Sequence, residues 1–374
     1  MKKIGIITVP DYNNYGNRLQ NFAVKEFFSK LGYTLDTLEL NDIEFGQYKK
    51  RYIKLFMKKF KLRLLVHMFE FINGGLKKVK RYKKFEVFTQ KYLGAKYYPD
   101  GRIKALKKIA DQYDYIVLGS DQIWHPTVMT TPNLFFATFA DPNKVLFFSP
   151  SFGVDRLNGE YAEKIKVLLG NKKNITVREP SGQKIIFEIL GKDATVLPDP
   201  TLCVSPATWK ELALPTYGAQ DKPYVLKYFL GNESESYKEE FSRISDHCKA
   251  DIFELAEKSN KAGYTTGPRE FLGAIMNAEY VVTDSFHAAV FCIIFNKPFT
   301  VFSRLNSRNE KEGLDSRIDD LLERFGVQSR KFSQSGENEI GEIDSSDFQE
   351  IMDTIQNNTY DYFEKIMGNE RPTT

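Results

Sequence analysis

Hydrophobic and polar positions along this chain switch between two periods. Lys3–Val9 is an apolar, β-branched run, Asn17–Lys30 repeats its apolar residues at helical spacing, and Tyr33–Leu40 returns to strand-like alternation. Further short strands are predicted at Tyr113–Gly119, Lys144–Phe148 and Ile175–Arg178, with helices over Glu160–Leu169 and from Ser181 to near Gly191. Five prolines (Pro198, Pro200, Pro206, Pro215 and Pro223) then interrupt the pattern, and it restarts. Strands at Tyr224–Phe229, Asp251–Leu255, Tyr280–Thr283 and Phe299–Phe302 alternate with helices at Ser236–Lys249, Pro268–Asn277 and Phe286–Phe295, and two more helices follow at 314–325 and 346–367. Strands and helices of these lengths make parallel βαβ units. The pattern therefore predicts an α/β protein of two Rossmann-like domains facing across a cleft. These are an N-terminal domain at 1–205 with a basic helical insertion at about 45–92, and a C-terminal domain at 206–345. A last helical segment, 346–374, is expected to cross back to the first domain.

Composition agrees with two packed domains: 374 residues, 42% apolar, 27% charged. Cys203, Cys248 and Cys292 are far apart and form no CxxC pair, so neither a disulfide framework nor a thiolate zinc site is expected, and a reducing compartment fits. His67, His125, His247 and His287 are too scattered for a histidine metal motif. Pro10 and Asp11 cut off the first apolar run, which reads as a strand and not as a signal peptide. The longest apolar run, Ala288–Phe295, is far below the roughly 20 residues a membrane span needs. A cytoplasmic protein is expected, with no metal and no cofactor.

The net charge of +4 conceals an uneven distribution, since residues 41–92 hold 15 Lys/Arg against four acids. Within that segment Ile53, Phe56, Phe60, Leu64, Met68 and Phe71 recur at helical spacing, giving a basic amphipathic helix over 49–72. Such a helix either lies on an anionic membrane surface or packs its stripe on the protein and solvates its lysines. No nucleic-acid motif accompanies the charge.

Ligands of open parallel sheets bind beyond the carboxyl ends of the strands. Four loops there are unusually polar. Asp11–Asn17 supplies amides and hydroxyls suited to a polyol, and with a single glycine it is no phosphate loop; Asn14 and Asn17 serve equally well as turn and cap residues. Ser120, Asp121 and Gln122 follow an apolar strand and can position a sugar diol, although Asp121 is equally a helix cap. Arg178 ends a strand ahead of a Ser-opened helix, where it can clamp an anion or form a structural pair with a glutamate. In Thr283-Asp284-Ser285-Phe286-His287 a buried strand runs straight into an apolar helix. Ser285 is then the cap, and His287 falls in a first turn whose N–H groups attract an anion. A histidine switched to imidazolium by an anionic substrate is a competent general acid, and a packed histidine in a first turn reads the same way. Lys297, Arg304 and Arg308 are predicted to gather around this helix start as a small-polyanion site.

These stretches together resemble the polysaccharide pyruvyl transferase family, from residue 3 to about 330. The matching points are Asn14-Tyr15-Gly16-Asn17-Arg18-Leu19-Gln20, Gly119-Ser120-Asp121-Gln122-Ile123-Trp124, Ser151-Phe152-Gly153, Arg178-Glu179, Asp199-Pro200-Thr201-Leu202, Thr283–His287 and Phe295–Phe299. Their order and spacing carry the likeness, each motif being short. Ala288, where relatives commonly have Gly, and His125, where Asn is usual, depart from it. The resemblance implies a GT-B-like fold and phosphoenolpyruvate as donor, with a pyruvate ketal formed on a sugar of a surface polysaccharide or its lipid-linked precursor. It implies His287 as catalytic acid, Arg178 as an anion-binding arginine and either Arg304 or Arg308 as the later basic residue, with Ser285 and Lys297 expected beside them at the donor from the reading of the helix start. The polar loops Asn14, Asn17, Ser120, Asp121 and Gln122 are then the acceptor side, with peripheral membrane contact through 49–72. A nucleotide-sugar glycosyltransferase and a non-catalytic saccharide-binding protein are the alternatives, although no acidic grip for a ribose is visible in the second domain.

Overall fold

The computed structural model describes residues 1–40, 75–98, 100–126, 132–215, 222–257, 259–311, 316–334 and 338–368. The basic helix expected over 49–72 lies outside them. The chain divides into two compact units: Met1–Pro200 together with the chain from Tyr362, and Thr201–Asp361. The division falls five residues before the sequence-based boundary because the turn Pro200–Cys203 is bound into the second unit. There the Trp209 indole donates to Thr201 O at 3.1 Å and the Gln356 amide to Leu202 O at 3.5 Å.

In the first unit, β1 (Lys3–Ile7), β2 (Thr34–Leu40), β3 (Lys96–Tyr98), β4 (Tyr115–Asp121) and β5 (Val145–Pro150) form a parallel sheet in the order β3-β2-β1-β4-β5. A short parallel pair, β6 (Thr176–Val177) and β7 (Thr195–Val196), runs beside β5, with Arg178 N donating to Pro150 O at 3.2 Å. The central strands are apolar on both sides because helices cover both faces. Ile116, Leu118, Trp124, Phe136, Phe147 and Phe152 are among the buried core. Phe363, near the end of the last helix, Phe348–Met367, packs edge-on against Phe27 and Phe28 with ring centroids at 5.4 and 4.9 Å.

The second unit repeats the principle with β8 (Tyr224–Tyr228), β9 (Asp251–Glu254), β10 (Tyr280–Thr283) and β11 (Phe299–Val301), all parallel, in the order β11-β10-β8-β9. Val225, Phe241, Ile244, Val282 and Phe302 belong to its core. Helix Phe286–Ile294 buries all nine of its residues, eight of them apolar and the ninth His287. In each sheet the strand order reverses beside one strand, between β1 and β4 in the first and between β8 and β10 in the second. A ligand crevice opens at the carboxyl end of such a switch point. Among the described residues no helix is long and apolar enough to cross a membrane.

Candidate active site

At the first switch point the polar loops interlock. Asn14 caps helix Tyr15–Lys30, its Oδ1 accepting from Asn17 N at 3.1 Å. Asn17 is buried; its Nδ2 donates to Asp121 Oδ2 at 2.8 Å, and its Oδ1 accepts from Arg18 Nε and Nη2 at 3.1 and 2.7 Å. Gly119, at φ +111°, must be glycine, because a Cβ there would lie 2.5 Å from Phe148 O. Ser120 faces inward: its N–H donates to Gln20 Oε1 (2.9 Å) and its hydroxyl to Ser149 O (2.8 Å). Asp121 has φ 76°, and its Oδ1 accepts from Gln122 N at 2.9 Å, so this turn is left-handed and opens no helix. The Gln122 side chain lies against Gly153, where an added Cβ would fall 2.0 Å from Nε2.

Two expectations are corrected here. Asn17 and Ser120 are buried framework, not sugar-facing groups, because their polar atoms are spent tying β4 to β5 and to the first helix. Arg178 is likewise no open anion clamp. Its Nη2 lies 2.9 Å from Asp199 Oδ2 and donates to Ser120 Oγ at 2.5 Å, and only 3% of the side chain is exposed. The partner acid is Asp199 and not the neighbouring glutamate. Glu179 instead turns to β5, its Oε1 accepting from Ser151 Oγ, Phe152 N and Gly153 N at 2.9, 3.0 and 3.3 Å. Asn14, Asp121 and Gln122 remain half-buried at the rim.

At the second switch point one carboxylate holds three loops. Asp284 Oδ1 accepts from Leu230 N at 2.8 Å and Oδ2 from Gly231 N at 2.7 Å, which fastens the loop after β8 to the helix start after β10. The loop after β11 joins through Arg304, whose Nε lies 3.5 Å from Asp284 Oδ2 and whose Nη2 donates to Asp284 O at 3.3 Å. Burial pushes the Asp284 carboxyl above its ordinary value, against the opposing pull of Arg304 and of the two N–H donors. Gly231 is required by this closeness, since a Cβ would lie 2.6 Å from Leu305 O and 2.7 Å from Arg304 Cγ.

Ser285 occupies the N-cap position of helix Phe286–Ile294, but its hydroxyl makes no capping bond. Its backbone N–H donates to Thr283 Oγ1 at 3.0 Å, and that hydroxyl donates to Tyr228 O at 2.6 Å. His287 sits in the first turn, buried, with its ring edge-on to Phe286 at 5.4 Å. The helix start thus combines a serine hydroxyl, a histidine, backbone N–H groups and Arg304, 22% exposed. That is an arrangement for an anion beside a proton donor.

Of the three predicted cations only Arg304 is held at the helix start by its contacts with Asp284, and the buried Arg317, which sequence reasoning missed, lies over the Phe286 ring at 5.5 Å. Lys297 follows the other end of the helix, where its Nζ donates to Ala278 O at 3.2 Å. Nine helical residues span about 13 Å, so Lys297 is a helix length away from Ser285. Arg308 lies on the exposed turn between Asn306 and Glu310, its N–H donating to Asn306 Oδ1 at 2.7 Å, and it is Arg304 that stands beside Asp284. Sequence reasoning gave Asp284 no role of its own. The available signal was its place between an apolar strand and an apolar helix, where an aspartate is isolated unless loops come to meet it. Among the described residues, no three His, Cys, Asp or Glu side chains cluster as a metal ion requires.

Comparison with solved structures finds the Anabaena protein Alr3699/HepE in complex with UDP and glucose, 8% identical, covering 98% of this chain and 100% of that one, TM-score 0.48. It also finds S. aureus MnaA with UDP, 12% identical, covering 99% of each chain, TM-score 0.48. A putative UDP-N-acetylglucosamine 2-epimerase from Listeria monocytogenes is 12% identical, covering 100% and 99%, TM-score 0.48. These likenesses add nothing to what the strand order already states about the fold. No curated protein gives a significant match. The family model for polysaccharide pyruvyl transferase matches residues 14–306, a span that runs from the Asn14 cap through Asp121, Asp199 and His287 to just past Arg304. Both switch points fall inside that span, and the chain belongs to the polysaccharide pyruvyl transferase family.

Proposed function

We propose that this protein transfers the enolpyruvyl group of phosphoenolpyruvate to a sugar of a surface polysaccharide or of its lipid-linked precursor, forming a pyruvate ketal. The observation that carries the donor assignment is His287 in the first turn of a buried helix whose start is flanked by Arg304. Phosphate and carboxylate are anions of the kind that helix N–H groups and a partly exposed guanidinium bind.

In the proposed reaction the His287 imidazolium protonates the methylene carbon of the donor, leaving an oxocarbenium-like centre at C2. A sugar hydroxyl adds there and gives up its proton, and phosphate departs with the C–O bonding pair. A neighbouring hydroxyl then closes the ketal and releases a second proton. One of the two hydroxyl protons restores His287 and the other leaves with phosphate. Positioning and fixed charge supply the rate enhancement, and the proposed steps use no metal. The acceptor sugar meets the half-buried rim residues Asn14, Asp121 and Gln122, which Asn17 and Ser120 hold from behind. Phosphoenolpyruvate as donor assigns the enzyme to the cytoplasm, and a lipid-linked acceptor assigns it to the membrane face.

Calorimetric titration of phosphoenolpyruvate, with inorganic phosphate and a uridine-diphosphate sugar as controls, tests the donor. Saturable one-site binding tighter than either control is expected. Binding of the nucleotide sugar alone would make the protein a glycosyltransferase instead. His287→Ala should lower ketal formation by about 10²–10⁴-fold while leaving the thermal midpoint near that of the wild type. Near-normal turnover in that variant would remove His287 from the role of acid.

A further inference from the structure

We propose that the outward face of helix Leu76–Phe88 docks on an anionic lipid bilayer. This inference stands independently of the donor assignment. The inner face of the helix is fixed to the first unit. Arg81 Nη2 donates to Asn13 O at 2.7 Å and Nη1 to the Tyr15 hydroxyl, while the Phe85 ring lies 5.3 Å from that of Tyr15 and the Phe88 ring 6.3 Å from that of Phe22. At 100° per residue, Leu76, Val79, Lys80, Lys83 and Val87 fall on the side opposite Phe85. Three of them are aliphatic and point outward: Leu76 is 48% exposed, Val79 59% and Val87 51%. Lys80 and Lys83 are exposed among them. Across the whole helix Glu86 is the one acid beside five lysines and an arginine.

A merely solvated face has no reason to carry aliphatic residues at helical spacing opposite the packed stripe. The charge selects the occupant. A second copy would set one strongly cationic face against another, which repels. An acidic protein would meet the lysines but leave Leu76, Val79 and Val87 in contact with polar groups. A bilayer containing anionic lipid satisfies both sets, because lysine stems lie along apolar surface with their heads at the phosphates while the aliphatic side chains enter the acyl boundary. The helix is about 20 Å long, so it lies in the interface plane without spanning it.

Co-sedimentation with vesicles of phosphatidylcholine alone, or mixed with phosphatidylglycerol, tests the surface. Three full-length proteins are compared: wild type, Val79→Ser/Val87→Ser and Lys80→Glu/Lys83→Glu. The basic segment 49–72 is left intact in all three, and circular dichroism checks that each is folded. Wild type should pellet with the anionic vesicles only, and each double variant should bind on the order of tenfold more weakly. Failure of the wild type to pellet would overturn the proposal. So would unchanged pelleting of either variant, because a contact made by 49–72 alone, or by charge alone, predicts that result. Binding of polyglutamate without vesicle binding would assign the face to an acidic protein and overturn it as well.

Discussion

Arg178 and Arg304 make an instructive pair. Each follows a strand at the carboxyl edge of its sheet, and each sits beside an aspartate. By sequence either could clamp an anion. In the first unit the Arg178–Asp199 contact is 2.9 Å, with both side chains almost wholly removed from solvent. In the second, the Arg304–Asp284 contact is 3.5 Å, Asp284 is buried, and Arg304 keeps 22% of its side chain exposed. The first arrangement uses its charge to hold three strands' ends together. The second uses the buried aspartate to aim a cation that still reaches solvent. The difference is one of burial and not of residue type: a guanidinium that has lost its access to water can stabilise a fold or fail to, but it cannot easily receive a substrate.

The largest effect expected from this contrast is on stability. Arg178→Ala would take the guanidinium away from the buried Asp199 carboxylate, and breaking one side of a buried pair costs about 3–5 kcal/mol. Urea unfolding should show that loss, with Asp199→Ala giving a similar one. Arg178→Met/Asp199→Leu should recover much of it, since apolar replacements of both partners leave no stranded charge. If Arg178→Ala kept its stability but lost phosphoenolpyruvate binding, the contrast would be inverted and Arg178 returned to the donor.

Much of the fold was legible because burial imposes periodicity. Tyr280–Thr283 is found where predicted, since an apolar strand fenced by Glu279 and Asp284 has no freedom to slide. β4 ends two residues later than its apolar run, at Asp121, because ladder hydrogen bonds pair Asp121 with Pro150 whatever the side chain. The helix start at Ser285 and His287 was legible for the same reason as the strand. Lys297 was misplaced by treating nearness in sequence as nearness in space, although the length of an eight-residue apolar run already carried it to the far end of the helix. The Arg178–Asp199 and Asp284–Gly231 contacts join loops 21 and 53 residues apart, and nothing local in either loop encodes its partner.

The second unit offers a sharper test through Gly231. A methyl there meets Leu305 O and Arg304 Cγ at under 3 Å, so Gly231→Ala must push the loop after β8 away from the loop after β11. Overpacking of this kind costs about 1–3 kcal/mol. Donor affinity should fall alongside stability, because the same loops carry Arg304. Loss of stability with unchanged phosphoenolpyruvate binding in calorimetry would separate the Asp284 hub from the donor site. Arg304→Ala should do the reverse. It should cost less stability than Arg178→Ala, because Asp284 keeps the Leu230 and Gly231 N–H donors, yet weaken phosphoenolpyruvate binding by roughly tenfold.

The smallest effect concerns two aspartates with opposite titration. Asp36 in β2 is held below its ordinary value of 3.8: burial pushes it up, but Lys96 at 2.8 Å, Lys3 at 3.1 Å and the Tyr113 hydroxyl at 2.9 Å outweigh that. Asp284 is pushed above 3.8 by burial, which its donors do not fully offset. For Asp36 the folded state releases its proton more readily than the unfolded chain, so its contribution is present above pH 3.8 and is lost as pH falls through the depressed folded value. For Asp284 the folded state binds the proton more tightly, so stability declines as pH rises from 3.8 through the raised folded value. Urea midpoints followed on both sides of pH 3.8 should therefore diverge. Asp36→Asn should lose ground to the wild type as pH rises towards 3.8, and Asp284→Asn should gain ground as pH rises above 3.8. Parallel curves for the two variants would mean that the hub in the second unit stabilises its carboxylate as well as the first sheet does, and the contrast between a buried edge and a partly exposed one would rest on Arg178 and Arg304 alone.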